Sequence, residues 1–152
     1  MKYYLSCLLL GFLGCSFSIS LASAKQPTAK AIGNIQNKKE VQGCGCSFQR
    51  EGKPGTVFWS GINQKSSLMN IDGKDRILKL VSETPSSKRE KKGDRSTSIY
   101  RYGKINVRLD RVVNSVCRQG DQECEVTGYD SKIKLNIGDR QQVISVTGGC
   151  GC

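Results

Sequence analysis

Two copies of Cys-Gly-Cys, Cys44-Gly45-Cys46 and Cys150-Gly151-Cys152, constrain this chain more than any other feature. Positions 44 and 152 add to the same total as positions 46 and 150, and a constant total is what two antiparallel strands in register produce. The motifs then face each other. A sheet whose first and last strands pair is a closed barrel. Alternate residues of a strand share a face, so the four sulfurs cluster. Two cross-strand disulfides, Cys44 with Cys152 and Cys46 with Cys150, are the reading adopted. A metal site of Cys44, Cys46, Cys150 and Cys152 holding zinc or copper is one alternative, and a redox bridge within each motif is the other. Cys117 and Cys124 enclose a polar turn, Arg-Gln-Gly-Asp-Gln-Glu, and read as a third disulfide.

An oxidising compartment is implied by the N-terminus. Lys2 precedes an apolar stretch from Tyr3 to Leu21, and Ala22-Ser23-Ala24 is a signal-peptidase site, so residues 1–24 read as a signal peptide. The stretch contains Ser6, Ser16, Ser18 and Ser20 and falls short of the roughly 20 apolar residues of a membrane span. Secretion or a periplasmic location follows, with no transmembrane segment after processing. Phe12-Leu13-Gly14-Cys15 offers an alternative in which Cys15 carries a lipid anchor. Cleavage after Ala24 removes Cys7 and Cys15 and leaves an even set of cysteines, the count that favours disulfides in an exported chain.

Residues 25–43 are polar and basic without hydrophobic periodicity and read as a flexible linker. From Cys44 to Cys152 the chain reads as one all-β domain. Ile105, Val107 and Leu109 alternate with polar residues, as do Ile133, Leu135 and Ile137. Shorter runs lie at 46–49, 57–60, 68–71, 77–81, 98–102, 125–129 and 143–147, punctuated by the turns Asp72-Gly73, Tyr102-Gly103-Lys104 and Gly138-Asp139. About eight antiparallel strands with meeting ends give a small β-barrel filled by side chains, with a two-sheet sandwich as the alternative. The expected core is Phe48, Phe58, Leu68, Ile77, Leu80, Ile105, Val107, Leu109, Ile133, Leu135, Ile137 and Ile144. Phe58 and Trp59 are neighbours, so one of them faces outward.

Loss of Lys2 with the signal peptide takes the formal charge from +11 to +10, and such an excess favours anionic partners. For an exported protein these are envelope polymers or lipid head groups rather than nucleic acid. The longest loop supplies the expected contacts, Lys88, Arg89, Lys91, Lys92 and Arg95. Tyr100, Tyr102 and Trp59 are candidates for aromatic stacking on such a partner. The chain has no histidine, which removes His-based triads, Cys-His dyads and mixed His-Cys metal sites. Most aspartates sit at turns, and Asp110, between Arg108 and Val112, reads as a surface ion-pair member. The protein is therefore read as non-catalytic.

The run Ser66-Ser67-Leu68-Met69-Asn70-Ile71-Asp72-Gly73, followed by Ile77-Leu78-Lys79-Leu80-Val81-Ser82, resembles the bacterial C-type lysozyme inhibitors. That resemblance implies an exported eight-stranded barrel. Where the family has a Ser-Ala-Ser-Gly-Ala-Arg-Tyr inhibitory loop, this chain has Ser82-Glu83-Thr84-Pro85-Ser86-Ser87-Lys88, so no inhibitory residue carries over. The expectation is an exported bacterial envelope module for an anionic partner. Its alternatives are a thiol-based metal or redox protein and an inhibitor of a cell-wall hydrolase.

Overall fold

The computed structural model describes residues 32–84, 89–117 and 124–152. Among these residues nine strands are present: β1 (Ile32–Gly33), β2 (Gly45–Arg50), β3 (Thr56–Gly61), β4 (Ser66–Ile71), β5 (Lys74–Thr84), β6 (Arg95–Tyr102), β7 (Ile105–Ser115), β8 (Val126–Ile137) and β9 (Arg140–Gly151). A 3₁₀ turn spans Lys38–Glu40. Strands β2 to β9 form an antiparallel meander in which each pairs with the next, and β2 pairs with β9 to close an eight-stranded barrel. Closure has the register implied by the motifs: Cys46 lies opposite Cys150 and Gly45 opposite Gly151.

Alternation within the strands sorts the side chains. Phe48, Phe58, Met69, Leu78, Tyr100, Val107, Leu109, Ile133 and Leu135 fill the barrel, each 1% exposed or less. Tyr100, Phe58 and Phe48 meet edge to face, with ring centroids 5.5 and 5.8 Å apart, and Tyr129 lies 6.3 Å beyond Phe48. This aromatic run spans the interior.

Two expectations about the core need correction. Ile77 is 58% exposed, because inward-facing Leu78 sets the phase of β5 there. Tyr100 is wholly buried and unavailable for stacking, whereas Tyr102 is 44% exposed beneath the Arg76 guanidinium. Of Phe58 and Trp59, Trp59 is the half-buried outward residue.

The two ends of the barrel differ. One carries the short hairpin turns, including Asp72-Gly73, where both residues have positive φ (56° and 77°), the conformation of a two-residue type I′ hairpin. The expected flexible linker is ordered over residues 32–43 and closes this end. Ile32 and Ile35 are buried, the Ile32 N–H donates to Gln142 Oε1 (3.0 Å), and Arg50 Nη2 donates to the Ile32 carbonyl. β1 then pairs with β4, and the Ile35 N–H reaches the Thr56 carbonyl (2.8 Å). Its composition is polar, but two isoleucines at the right spacing are enough to anchor it.

All three disulfides sit at the other end: Cys44–Cys152, Cys46–Cys150 and Cys117–Cys124. Cys46 is buried within the barrel, while Cys44 and Cys152 are exposed at its rim. The Cα atoms of the two terminal pairs are 4.2 and 4.0 Å apart, close to the narrow pairs of an antiparallel ladder, where sulfurs reach across most readily. The interior is polar here. Arg111 turns inward in phase with Val107 and Leu109, and its neighbours across the ladder are Ser96 and Ser131.

Candidate anion-binding face

Charge is divided unequally around the barrel. Within β2, β3 and β4 the single charged residue is Arg50, whose guanidinium reaches the Ile32 carbonyl at the turn end. The outward positions of β5 to β9, by contrast, carry Lys79, Arg95, Arg101, Arg108, Lys132 and Lys134 against Asp75, Asp110 and Asp130. Register then sets like charges side by side. Lys79 lies directly opposite Arg101 across β5 and β6, and Arg108 directly opposite Lys134 across β7 and β8. Directly opposed like charges destabilise a sheet.

Local bonds orient several of these groups. Arg108 Nε donates to both oxygens of Asp110 at 2.9 Å, and Thr97 Oγ1 donates to Asp110 Oδ1 at 2.7 Å. Arg101 Nε donates to Asn106 Oδ1 (2.9 Å), and Asn114 Nδ2 to Asp130 Oδ1 (2.9 Å). Partial burial alone would raise the Asp110 pKa. The hydrogen bonds from Arg108 and Thr97 and the charges of Arg108 and Lys132 outweigh it and hold the carboxyl below its usual value. The Arg108–Asp110 pair itself is exposed, so solvent screening leaves it little weight in stability.

A furrow of about 750 Å³ crosses this face at right angles to the strands, from β6 to the β2–β3 turn at Glu51. Asp110 and Lys132 stand on one wall, and Arg95, Val112 and Asp130 on the other. Between them lie the inward-turned Ser96, Arg111 and Ser131, so main chain forms the floor. Crossing four strands at a spacing of about 4.8 Å gives a trough of about 15 Å, long enough for several units of an extended polymer.

The loop bases expected from sequence divide. Lys88 lies outside the described residues. Arg89, Lys91 and Lys92 are exposed on the β5–β6 loop, and Arg95, the first residue of β6, lines the furrow. Two hydrogen bonds tie the loop to β7, the Gly93 N–H to the Val113 carbonyl (2.8 Å) and the Val113 N–H to the Asp94 carbonyl (2.9 Å), and within the loop the Lys91 N–H donates to Asp94 Oδ2 (2.9 Å). Composition pointed to the loop because its bases are consecutive. Lys79, Arg101, Arg108, Lys132 and Lys134 escaped notice because register, not sequence proximity, assembles them. The sequence signal that could have found them is the basic residue recurring at polar positions of alternating strands.

The four terminal cysteines are joined across the closure seam rather than within each motif. Among the described residues no group of His, Cys, Asp and Glu has the arrangement of a metal site. No helix among them is long and apolar enough to cross a membrane. Three disulfides fit an oxidising compartment outside the cytoplasm. No protein-family model, curated protein or solved structure matches the chain.

Proposed function

We propose that this protein is an exported, non-catalytic binding module of the bacterial envelope whose outward face on β5 to β9 engages an anionic partner, an envelope polymer or lipid head groups. The observation that supports this reading is the register that opposes Lys79 to Arg101 and Arg108 to Lys134. In the free protein this arrangement costs stability, and an anion lying across the strands relieves it. A merely soluble surface gains nothing from the pairing, because solubility depends on net charge rather than on which bases are adjacent. Apolar residues inside and bases outside are the inverse of a membrane-spanning barrel, so lipid would be met at its charged surface. The disulfides argue against the thiol-based alternative, since they occupy all four terminal sulfurs.

Retention on immobilised polyphosphate and on phosphatidylglycerol vesicles tests the reading and separates its two sources of anion. The variant Arg101→Ser with Lys134→Ser should release at clearly lower salt than wild type, whereas Lys38→Ser with Lys39→Ser, an equal loss of charge on the 3₁₀ turn of the N-terminal segment, should elute almost unchanged. Equal shifts for both pairs would reduce the effect to net charge and sink the assignment to this face.

A further inference from the structure

A second cavity, of about 400 Å³, opens at the disulfide end of the barrel, away from the basic face. Arg111 lies in its wall although its side chain is only 5% exposed. Four contacts fix the guanidinium: Nη1 donates to Gln64 Oε1 (2.9 Å), Nη2 donates to Glu83 Oε1 (2.8 Å) and to Ser98 Oγ (3.2 Å), and the plane lies 5.7 Å from the Tyr129 ring centre. The Nε–H is buried and has no acceptor. A buried charged donor without a partner is costly and rare. Gln64 meets Arg111 from the β3–β4 turn, where its N–H donates to the Gly61 carbonyl (2.8 Å) and its φ of +50° is that of a turn residue.

The remaining valences define what would fit. Gln64 offers its amide N–H₂ as a donor; Glu83 offers Oε2 as an acceptor; Thr127 offers a hydroxyl that does both; and Arg111 lies in the wall behind them with its buried Nε–H unpaired. Ile62 and the buried end of the Cys46–Cys150 bridge supply apolar surface beside them. A free anion is opposed by Glu83 and Glu90, which also lines the cavity, and a free amine is opposed by Arg111. Neutral hydroxyls satisfy interleaved donors and acceptors without either penalty, and the volume suits a compact small molecule.

We propose that this cavity is a binding site for a neutral saccharide unit, held by Arg111, Gln64, Glu83 and Thr127. The site is independent of the basic face and does not rest on it. Two-dimensional ¹⁵N NMR of the oxidised protein, titrated with glucose, galactose and N-acetylglucosamine, tests it. At least one sugar should shift the Arg111 Nε–H resonance and the Gln64 and Thr127 amides saturably, with Kd of about 1 mM. Thr127→Val and Gln64→Ala, both at the accessible rim, should each weaken binding by about tenfold while retention on polyphosphate stays as in wild type. The proposal is overturned by an Arg111 Nε–H that no sugar moves, by equal shifts with inorganic phosphate or putrescine, or by sugar shifts that both variants retain in full.

Discussion

At the scale of single residues, Asp110 is the telling side chain on the basic face. It neutralises Arg108 and lies opposite Lys132, so it withholds part of the positive field from any incoming anion. Asp110→Asn should therefore tighten binding to polyphosphate and move elution to higher salt, a change opposite in sign to that of the lysine and arginine variants. Because its folded pKa lies below the ordinary value of 3.8, the wild-type carboxylate remains charged as pH falls to that value, and its binding should be flat from neutrality to about pH 5. A binding step between pH 5 and 7 would point to some other titrating group. Gly148 shows how tightly the seam is closed. A Cβ built there lies 2.0 Å from the Ser47 carbonyl oxygen and 2.8 Å from Phe48 Cα, and main chain cannot step aside cheaply. Gly148→Ala should cost about 1–3 kcal/mol, read as a lowered urea midpoint, with overpacking rather than a lost contact as the cause.

At the scale of elements, the N-terminal segment closes the turn end, and Asp75 is its latch. Asp75 Oδ2 accepts the N–H groups of Gln36 (2.9 Å) and Asn37 (2.8 Å), while Oδ1 accepts Asn70 Nδ2 (2.7 Å). Burial alone would raise its pKa, yet these hydrogen bonds prevail and lower it. A lowered folded pKa means the latch contributes fully above the unfolded value, near 3.8, and is lost as pH falls through the folded one. Amide exchange at Gln36 and Asn37 should accelerate on acidification below about pH 4, ahead of exchange in β7 and β8. Asp75→Ala should loosen the same amides at neutral pH, at a cost of about 1–2 kcal/mol, and abolish the acid dependence. Acceleration that is uniform across the barrel would mean the segment does not open separately. The sequence disclosed the barrel well and this closure poorly. Strand phase and the matched Cys-Gly-Cys motifs are local or arithmetic properties, and they carried through to the observed seam. Docking of Ile32 and Ile35 depends on an open barrel end that exists only after folding, so no periodicity announces it. Arg111 was within reach: the inward phase of Ile105, Val107 and Leu109 runs on through position 111 to Val113. The opposed bases on β5 to β8 were not, since the β7–β8 register is set across a loop whose sequence does not dictate it.

For the molecule as a whole, the paired disulfides make closure redundant, and that redundancy has a measurable form. Cys44–Cys152 and Cys46–Cys150 span 108 and 104 positions. Either alone restrains the unfolded chain by about 4.7 kcal/mol on the chain-entropy account, whereas the second then closes only a ring of a few residues and adds about 2 kcal/mol at most. Replacing one pair by alanine should cost little, and replacing both should cost more than the two single effects together. The singles should also differ. Cys46 is 2% exposed and packs in the core, so losing its bridge removes buried contacts, while Cys44 and Cys152 at the rim leave no cavity. Urea unfolding of the two paired variants and of the quadruple variant under non-reducing conditions measures this coupling. Simple additivity would mean that each bridge restrains the chain independently of the other, and that closure of the β2–β9 seam is not redundant.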